Sequence, residues 1–476
     1  MKLYLYDTRA RQKREFIPLE EGKVGMYHCG PTVYQRPHIG NYRAFLFADL
    51  LRRVLEVLGY EVKQIMNLTD VGHLLADAEE GEDKLEAQAK KDNVDPWEIV
   101  ERISEQFFAD LKELGIQPAH AYPRATDYID EMLEMIEVLI DKGNAYKVGS
   151  NVYFDVHSFE KYGELSGNNI AELEAGARLE INKEKRHPAD FALWKTDEKH
   201  LMKWDTVFGA NGFPGWHIEC SAMSRKFLGD HFDIHTGGED NVFPHHECEI
   251  AQSESAHNGE FVNYWLHTKF LQVDGGKMSK SLGNVYSLDD LGTHGYCALD
   301  FRFLMMRGHY RSSLNFTFEA LQGAAEARKS LCGFISRLQS AAGDAVADAS
   351  QCDALRTAQQ DFMTSLCDDL NTSAAIAAVF TLRGEFMKGE FSPAHSAAAL
   401  EFMLNSVQPV FGDLNDEASA GDGMSDADVD NLIAQRTQAR ADKDWSKADE
   451  VRDQLSAAGI VVEDTADGIK WHRALS

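Results

Sequence analysis

Val24-Gly25-Met26-Tyr27-His28-Cys29-Gly30-Pro31-Thr32, followed after a short loop by His38-Ile39-Gly40-Asn41, decides the fold. The first six residues read as a short buried strand ending in a Gly-Pro-Thr turn. Beyond Asn41 the apolar residues fall at Phe45, Ala48, Leu51, Val54, Leu55 and Leu58, the period of a helix, and Gly59 stops it. Tyr60 to Leu68 reads as the next strand. Strand, helix, strand is a βαβ unit, so the expected core is an α/β, Rossmann-like parallel sheet that binds nucleotides.

Working outward, Met1–Thr8 reads as an opening strand, too short and too polar for an export signal. Residues 77–94 are mostly Asp, Glu, Lys and Ala, the composition of a solvated loop or helix face, and 97–114 reads as helix. Residues 126–205 change character: a helix at 128–142, a hairpin at Asn144–His157 and a charged loop at 170–186. They form an expected insertion that splits the sheet domain into halves at 1–125 and 206–270. The sheet resumes at Asp230–His235 and again at Tyr264–Val273. Residues 271–315 carry a lysine-rich loop, and 316–411 is Ala-rich and helical, an appended bundle. Small acidic residues at 412–427 predict a linker, and 428–476 a small C-terminal α+β unit.

Composition narrows the function. The chain has 476 residues, 44% hydrophobic and 26% charged, enough for several cores. No apolar run reaches the roughly 18 residues of a membrane helix, which points to a cytoplasmic protein. The net charge of -29 argues against binding nucleic acid indiscriminately over the whole surface, while leaving room for local basic patches. Seven widely spaced cysteines, an odd number, do not read as a disulfide framework.

Four motifs carry chemistry. His38-Ile39-Gly40-Asn41 opens a helix, whose free backbone N–H groups and dipole favour anions. Gly40 lets a flat base approach the backbone, and His38 can hydrogen-bond a triphosphate. Lys277-Met278-Ser279-Lys280-Ser281, flanked by Gly275-Gly276 and Gly283, reads as a loop whose two lysines close over phosphates. Cys29, Cys220, His245 and Glu249 offer two thiolates, an imidazole and a carboxylate, a zinc-type donor set. With a helix started by Pro244, His245 and Glu249 share one face, though His246 and Cys248 stand beside them as rival ligands. Finally, Asp233-Ile234-His235-Thr236-Gly237-Gly238-Glu239-Asp240 runs a strand into a glycine turn and an acid, with Asp240 placed for ribose hydroxyls.

Together these residues resemble the cysteinyl-tRNA synthetase family of class I. His38–Asn41 and Lys277–Ser281 look like its two nucleotide signatures, and Gly215-Trp216-His217-Ile218-Glu219-Cys220-Ser221-Ala222-Met223 and Phe243-Pro244-His245-His246-Glu247 look like its own blocks. The resemblance extends to Asp368-Asp369-Leu370-Asn371-Thr372 and to the C-terminal Lys443–Asp449 and Ile460–Thr465. It implies zinc on Cys29, Cys220, His245 and Glu249, one ion per chain. It implies ATP with Mg²⁺ against His38, Gly40, Asn41, Gly238, Asp240, Lys277, Met278, Ser279 and Lys280, of which His38, Asn41, Lys277 and Lys280 stabilise the phosphates. Thr69 and Trp216 are expected at the substrate, Trp216 as the pocket floor. Cysteine is expected to be activated by ATP and passed to tRNA-Cys, with the metal selecting the thiol and no editing domain. The resemblance also implies a monomer. Cys248 is a departure, standing where the family usually has Asn.

A related reading joins cysteine to an amino sugar instead. The basic and aromatic residues Arg436, Arg440, Trp445, Arg452, Lys470, Trp471 and Arg473 favour tRNA, with Arg440, Trp445 and Asp449 as the expected contacts. A non-catalytic relative predicts damaged signatures, and both are intact here.

Overall fold

The computed structural model describes the whole chain except residues 72–83, 93, 171–183, 216, 280–282, 415–425, 442–446, 449–450, 453, 456–459, 466–467 and 474–476. Four parallel strands form the central sheet, in the order Val262–Thr268, Phe232–Gly238, Lys23–His28, Glu61–Met66. The helix Ile39–Val57 connects the last pair and Glu247–His257 the first pair. From the two middle strands the chain winds outward in opposite directions, so a switch point lies between Lys23–His28 and Phe232–Gly238. Ligands of doubly wound sheets bind at the carboxyl ends of such strands.

Alternation along the strands builds two cores. Met26, Tyr264 and Leu266 pack on one face with Phe45, Leu51 and Val54 of the helix Ile39–Val57. Tyr27, Ile65 and Trp265 pack on the other with Ile218, Met223, Ile250 and Ala251. Strands buried on both faces read as nearly continuous apolar runs, which is why Val24–Cys29 was legible.

Several expectations shift. The opening strand expected in Met1–Thr8 is present as Tyr4–Asp7, though it pairs with Gln12–Glu15 in a hairpin outside the parallel sheet. The run Tyr264–Val273 is two strands in two sheets. It breaks at Lys269-Phe270, where Lys269 N donates to Tyr310 O and Phe270 N to Glu239 Oε1, so tertiary bonds replace the ladder. Leu271–Val273 then pairs with Gly276–Lys277 and Leu314–Phe316. Within 77–94, the helix Lys84–Asp92 is not wholly solvated, since Leu85 and Ala89 are buried.

The insertion is an antiparallel five-stranded sheet ordered Ala145–Val148, Asn151–Phe154, Phe191–Thr196, Gly209–Pro214, Trp204–Thr206. It therefore runs past residue 205 to Pro214. Most of the charged loop at 170–186 and of the linker at 412–427 lies outside the described residues. Beyond Phe316 come the helices Phe318–Ala342, Asp353–Cys367, Thr372–Phe386 and Pro393–Phe402. The C-terminal unit comprises the helix Asp426–Ala441 and the hairpin Ile460–Thr465/Gly468–Arg473.

Candidate active site and metal centre

The first signature lies just beyond the sheet. Gly30 N donates to Asn67 Oδ1 (2.9 Å), Thr69 N to Pro31 O (3.0 Å) and Val33 N to Thr69 O (3.1 Å), tying together the loops that leave two adjacent parallel strands. Thr69 is thus held by backbone on both sides, and its Oγ1 accepts from Asn67 Nδ2 (3.0 Å). His38 caps the helix Ile39–Val57, and its N–H donates to Asn41 Oδ1 (3.0 Å). The second signature sits directly against this helix start. Ile39 N donates to Tyr286 O (2.9 Å), and Ser279 N to Asn284 Oδ1 (2.8 Å), which folds the loop back. A Cβ built on Gly40 would stand 2.0 Å from Met278 Cε. Lys277 is exposed at the end of its strand. Gly238 ends the strand Phe232–Gly238, and Asp240 lies exposed in the following turn.

The donor set converges from four segments. Cys29 follows Lys23–His28, Cys220 lies in the first turn of the helix Ile218–Leu228, and His245 and Glu249 flank the start of Glu247–His257. One donor atom from each lies within 4.8 Å of all the others. His245 Nε2 is 3.0 Å from Glu249 Oε1, as the four-residue spacing requires, and Cys29 Sγ is 3.8 Å from the same oxygen. Cys29, Cys220 and Glu249 are buried.

The rivals separate. Cys248 turns away to the Tyr162 hydroxyl, 3.5 Å off, and burial raises its thiol pKa. His246 stays close: its Nε2 is 3.3 Å from Cys29 Sγ, and Cys29, His235, His246 and Glu249 make a second converging set. Its Nδ1, however, is held 2.8 Å from His267 Nε2.

Around the set stands a layer of histidines that sequence reasoning left unassigned. His235 Nε2 lies 2.9 Å from Glu249 Oε2, and His217 Nδ1 lies 2.7 Å from His245 Nδ1. His267 Nδ1 reaches Thr8 Oγ1 (2.8 Å), and His28 Nδ1 reaches Thr236 Oγ1 (2.7 Å). His217 itself takes φ 74°, an uncommon left-handed conformation for a non-glycine residue. The available signal was an imidazole on each of three buried strands, at His28, His235 and His267.

Electrostatics polarise the cluster. Burial alone would raise Glu249, but His235 and His245 outweigh it and hold the carboxyl at about 2. Burial pushes the Cys29 thiol well up, while the hydrogen bond from Cys29 pulls Cys220 down. Burial opposes the charge on His245, yet Cys220 and Glu249 raise it well above its ordinary value. Glu249 is thus held as a carboxylate and the Cys220 thiol is eased toward release of its proton, the direction in which a divalent cation needs its ligands.

Trp216, Lys280, Trp445 and Asp449 lie outside the described residues. Arg440 is exposed on the helix Asp426–Ala441, in the C-terminal unit.

Residues 15–326 match the family model "tRNA synthetases class I (C) catalytic domain". The chain is 40% identical over 494 residues to a cysteine–tRNA ligase of Treponema denticola, covering 99% of this chain and 100% of that one. It is 42% identical over 482 residues to a cysteine–tRNA ligase of Deinococcus radiodurans, covering 98% and 96%. The chain belongs to the cysteine–tRNA ligase family.

Two further family models fit this membership. Residues 361–415 match the DALR domain and 423–471 the "Cysteinyl-tRNA ligase anticodon binding domain". A cysteine–tRNA ligase is a class I synthetase, and the fold agrees. A Mycobacterium tuberculosis methionyl-tRNA synthetase in complex with methionyl-adenylate superposes with a TM-score of 0.62 at 15% identity, covering 82% of this chain and 91% of that one. No helix among the described residues is long and apolar enough to cross a membrane.

Proposed function

We propose that the chain activates cysteine with ATP to cysteinyl-adenylate and transfers it to the 3′ end of tRNA-Cys, with zinc selecting the thiol. The convergence of Cys29, Cys220, His245 and Glu249 within 4.8 Å, beside the switch point and the first signature, carries this reading. Two thiols, an imidazole and a carboxylate, largely buried and partly anionic, fit zinc. A zinc ion bound there supplies a thiophilic Lewis acid for the substrate's sulfur. Serine offers a poor ligand and alanine none, enough for discrimination of roughly 10⁴ without editing.

The residues divide the remaining work. Cys29 presents sulfur from the end of its strand and Cys220 from a helix start, while His235 fixes Glu249 and His217 fixes His245. Thr69 and Trp216 line the substrate pocket. His38, Asn41, Lys277 and Lys280 hold the triphosphate, accompanied by Mg²⁺, and offset charge as pyrophosphate departs. Gly238 and Asp240 take the ribose, and Gly40, Met278 and Ser279 enclose the nucleotide.

The sheet halves, 1–125 and 215–270, act as one catalytic unit around the insertion, with 271–315 and the bundle 316–411 toward the tRNA stem. The 428–476 unit meets the anticodon through Arg440, Trp445 and Asp449. One zinc per chain, a monomeric state and a cytoplasmic location complete the proposal.

Charging of purified tRNA-Cys with labelled cysteine and ATP, with serine as control and zinc measured on the same sample, is the test. Charging with cysteine alone supports the reading. Zinc-loaded protein that forms cysteinyl-adenylate but leaves tRNA uncharged would overturn the acceptor.

A further inference from the structure

The insertion sheet carries a second convergence of donors, remote in sequence from the first. One donor atom from each of Asp155, His157 and His187 lies within 4.8 Å of the other two. The two imidazole rings are in contact, with centroids 4.0 Å apart and planes inclined at 44°. His157 is exposed, and Asp155 and His187 are half-buried, so a cation from solvent can reach them.

The backbone that carries these side chains is pinned in advance. Asp155 caps the turn Val156–Ser158, its Oδ1 accepting from His157 N (3.1 Å). The buried Asp190 then joins this turn to the segment bearing His187. Its Oδ1 accepts from Val156 N (3.1 Å), and its Oδ2 from His187 N (3.1 Å) and the Tyr146 hydroxyl (2.7 Å). Asp190 thus already holds the two ligand-bearing segments side by side, and only side-chain rotation separates the present arrangement from bonding distances of about 2.0–2.2 Å.

We propose that Asp155, His157 and His187 form a second metal site, which binds a divalent transition-metal ion through two imidazoles and one carboxylate. Imidazole donors suit zinc, cobalt, nickel and copper rather than magnesium or calcium, and three protein ligands leave positions for water. The neighbouring cation is Arg186. Its Nη1 lies 3.6 Å from Asp155 Oδ2 while its guanidinium rests over the Tyr146 ring, 4.0 Å from the centroid. Arg186 partly neutralises Asp155 and competes with the metal, so its removal tightens the site. The site needs nothing from the catalytic proposal, because no residue of the Cys29 cluster takes part.

The test is a Co²⁺ titration of the untagged, full-length, zinc-loaded protein, followed by visible and near-ultraviolet absorption. The expected result is one equivalent of Co²⁺ bound with ligand-field bands and without a thiolate charge-transfer band. H157A and H187A should each weaken it at least tenfold, and R186Q should strengthen it severalfold, with cysteine activation unchanged in all three. His157 is exposed, so H157A tests the site without endangering the fold. Absence of binding to the wild type, affinity indifferent to both histidine variants, or cobalt found wholly in a thiolate-type spectrum would each overturn the site.

Discussion

Met278 Cε occupies the space a side chain at residue 40 would need: a Cβ there would lie 2.0 Å from it. The two signatures, half the chain apart, thus interlock at the start of the helix Ile39–Val57. Gly40→Ala should turn the Met278 side chain away from the helix start and lower kcat/KM for ATP in pyrophosphate exchange at least tenfold, about 1.4 kcal/mol. The melting temperature should be unchanged. G40A combined with M278A should lose less than the two single losses multiplied together. Independent, multiplicative losses would show that the contact has no part in the reaction.

Cys220 and Cys248, both buried near His245, should behave differently. Cys220→Ser should release zinc and reduce cysteine activation by at least about 10³-fold, since a ligand and the thiol-recognition site go together. Cys248→Ser should keep full zinc content and near-normal activity, because that thiol faces Tyr162. Metal analysis of both purified proteins decides it, and zinc lost from the Cys248 variant would reassign the ligands.

Burial depresses His28 and His267 to about 3, against an ordinary value of 6.5. Between those values the unfolded chain takes up protons that the folded chain refuses. The stability contribution is therefore complete above 6.5 and falls as the pH drops toward 3, by up to about 1.4 kcal/mol per pH unit for each histidine. The urea midpoint, measured with chelator throughout so that metal release plays no part, should fall between about pH 7.5 and about pH 5. H28Q combined with H267Q should flatten that slope, and an unaltered slope would refute the assignment.

Arg302 holds three parts of the molecule together. Its Nη2 lies 2.6 Å from Asp49 Oδ2, its Nε donates to Phe411 O, and its Nη1 to Leu114 O and Gly115 O, with both members of the ion pair buried. Arg302→Ala leaves Asp49 paired with Arg53 and should cost about 3–5 kcal/mol. Thermal unfolding should begin earlier in both the catalytic unit and the helical bundle. A loss confined to one of them would argue against the bridge.

What sequence could reveal follows from where the information sits. The βαβ unit was legible because Val24–Cys29 and the helix after Asn41 carry their periodicities locally. The converging donors were legible through the four-residue step from His245 to Glu249 and through family resemblance for the two cysteines. The last inner strand of the insertion was not, because Gly209-Ala-Asn-Gly-Phe-Pro214 has two glycines, a proline and little strand propensity. It is a strand because it pairs with Phe191–Thr196, and Gly212 is needed because a Cβ there would meet Trp194 Nε1 at 2.2 Å. The histidine layer also escaped, since imidazoles at 28, 217, 235 and 267 share no spacing and meet only across the sheet.

The order of the central sheet has a consequence for how the chain is made. The strand Lys23–His28 lies beside Phe232–Gly238, so its native neighbour on that side leaves the ribosome roughly 200 residues later, about 10–40 s at ordinary rates of synthesis. The intervening five-stranded sheet is closer-knit in sequence and can close first. During that interval an apolar strand edge waits uncovered, which makes the nascent first half a natural client for chaperones.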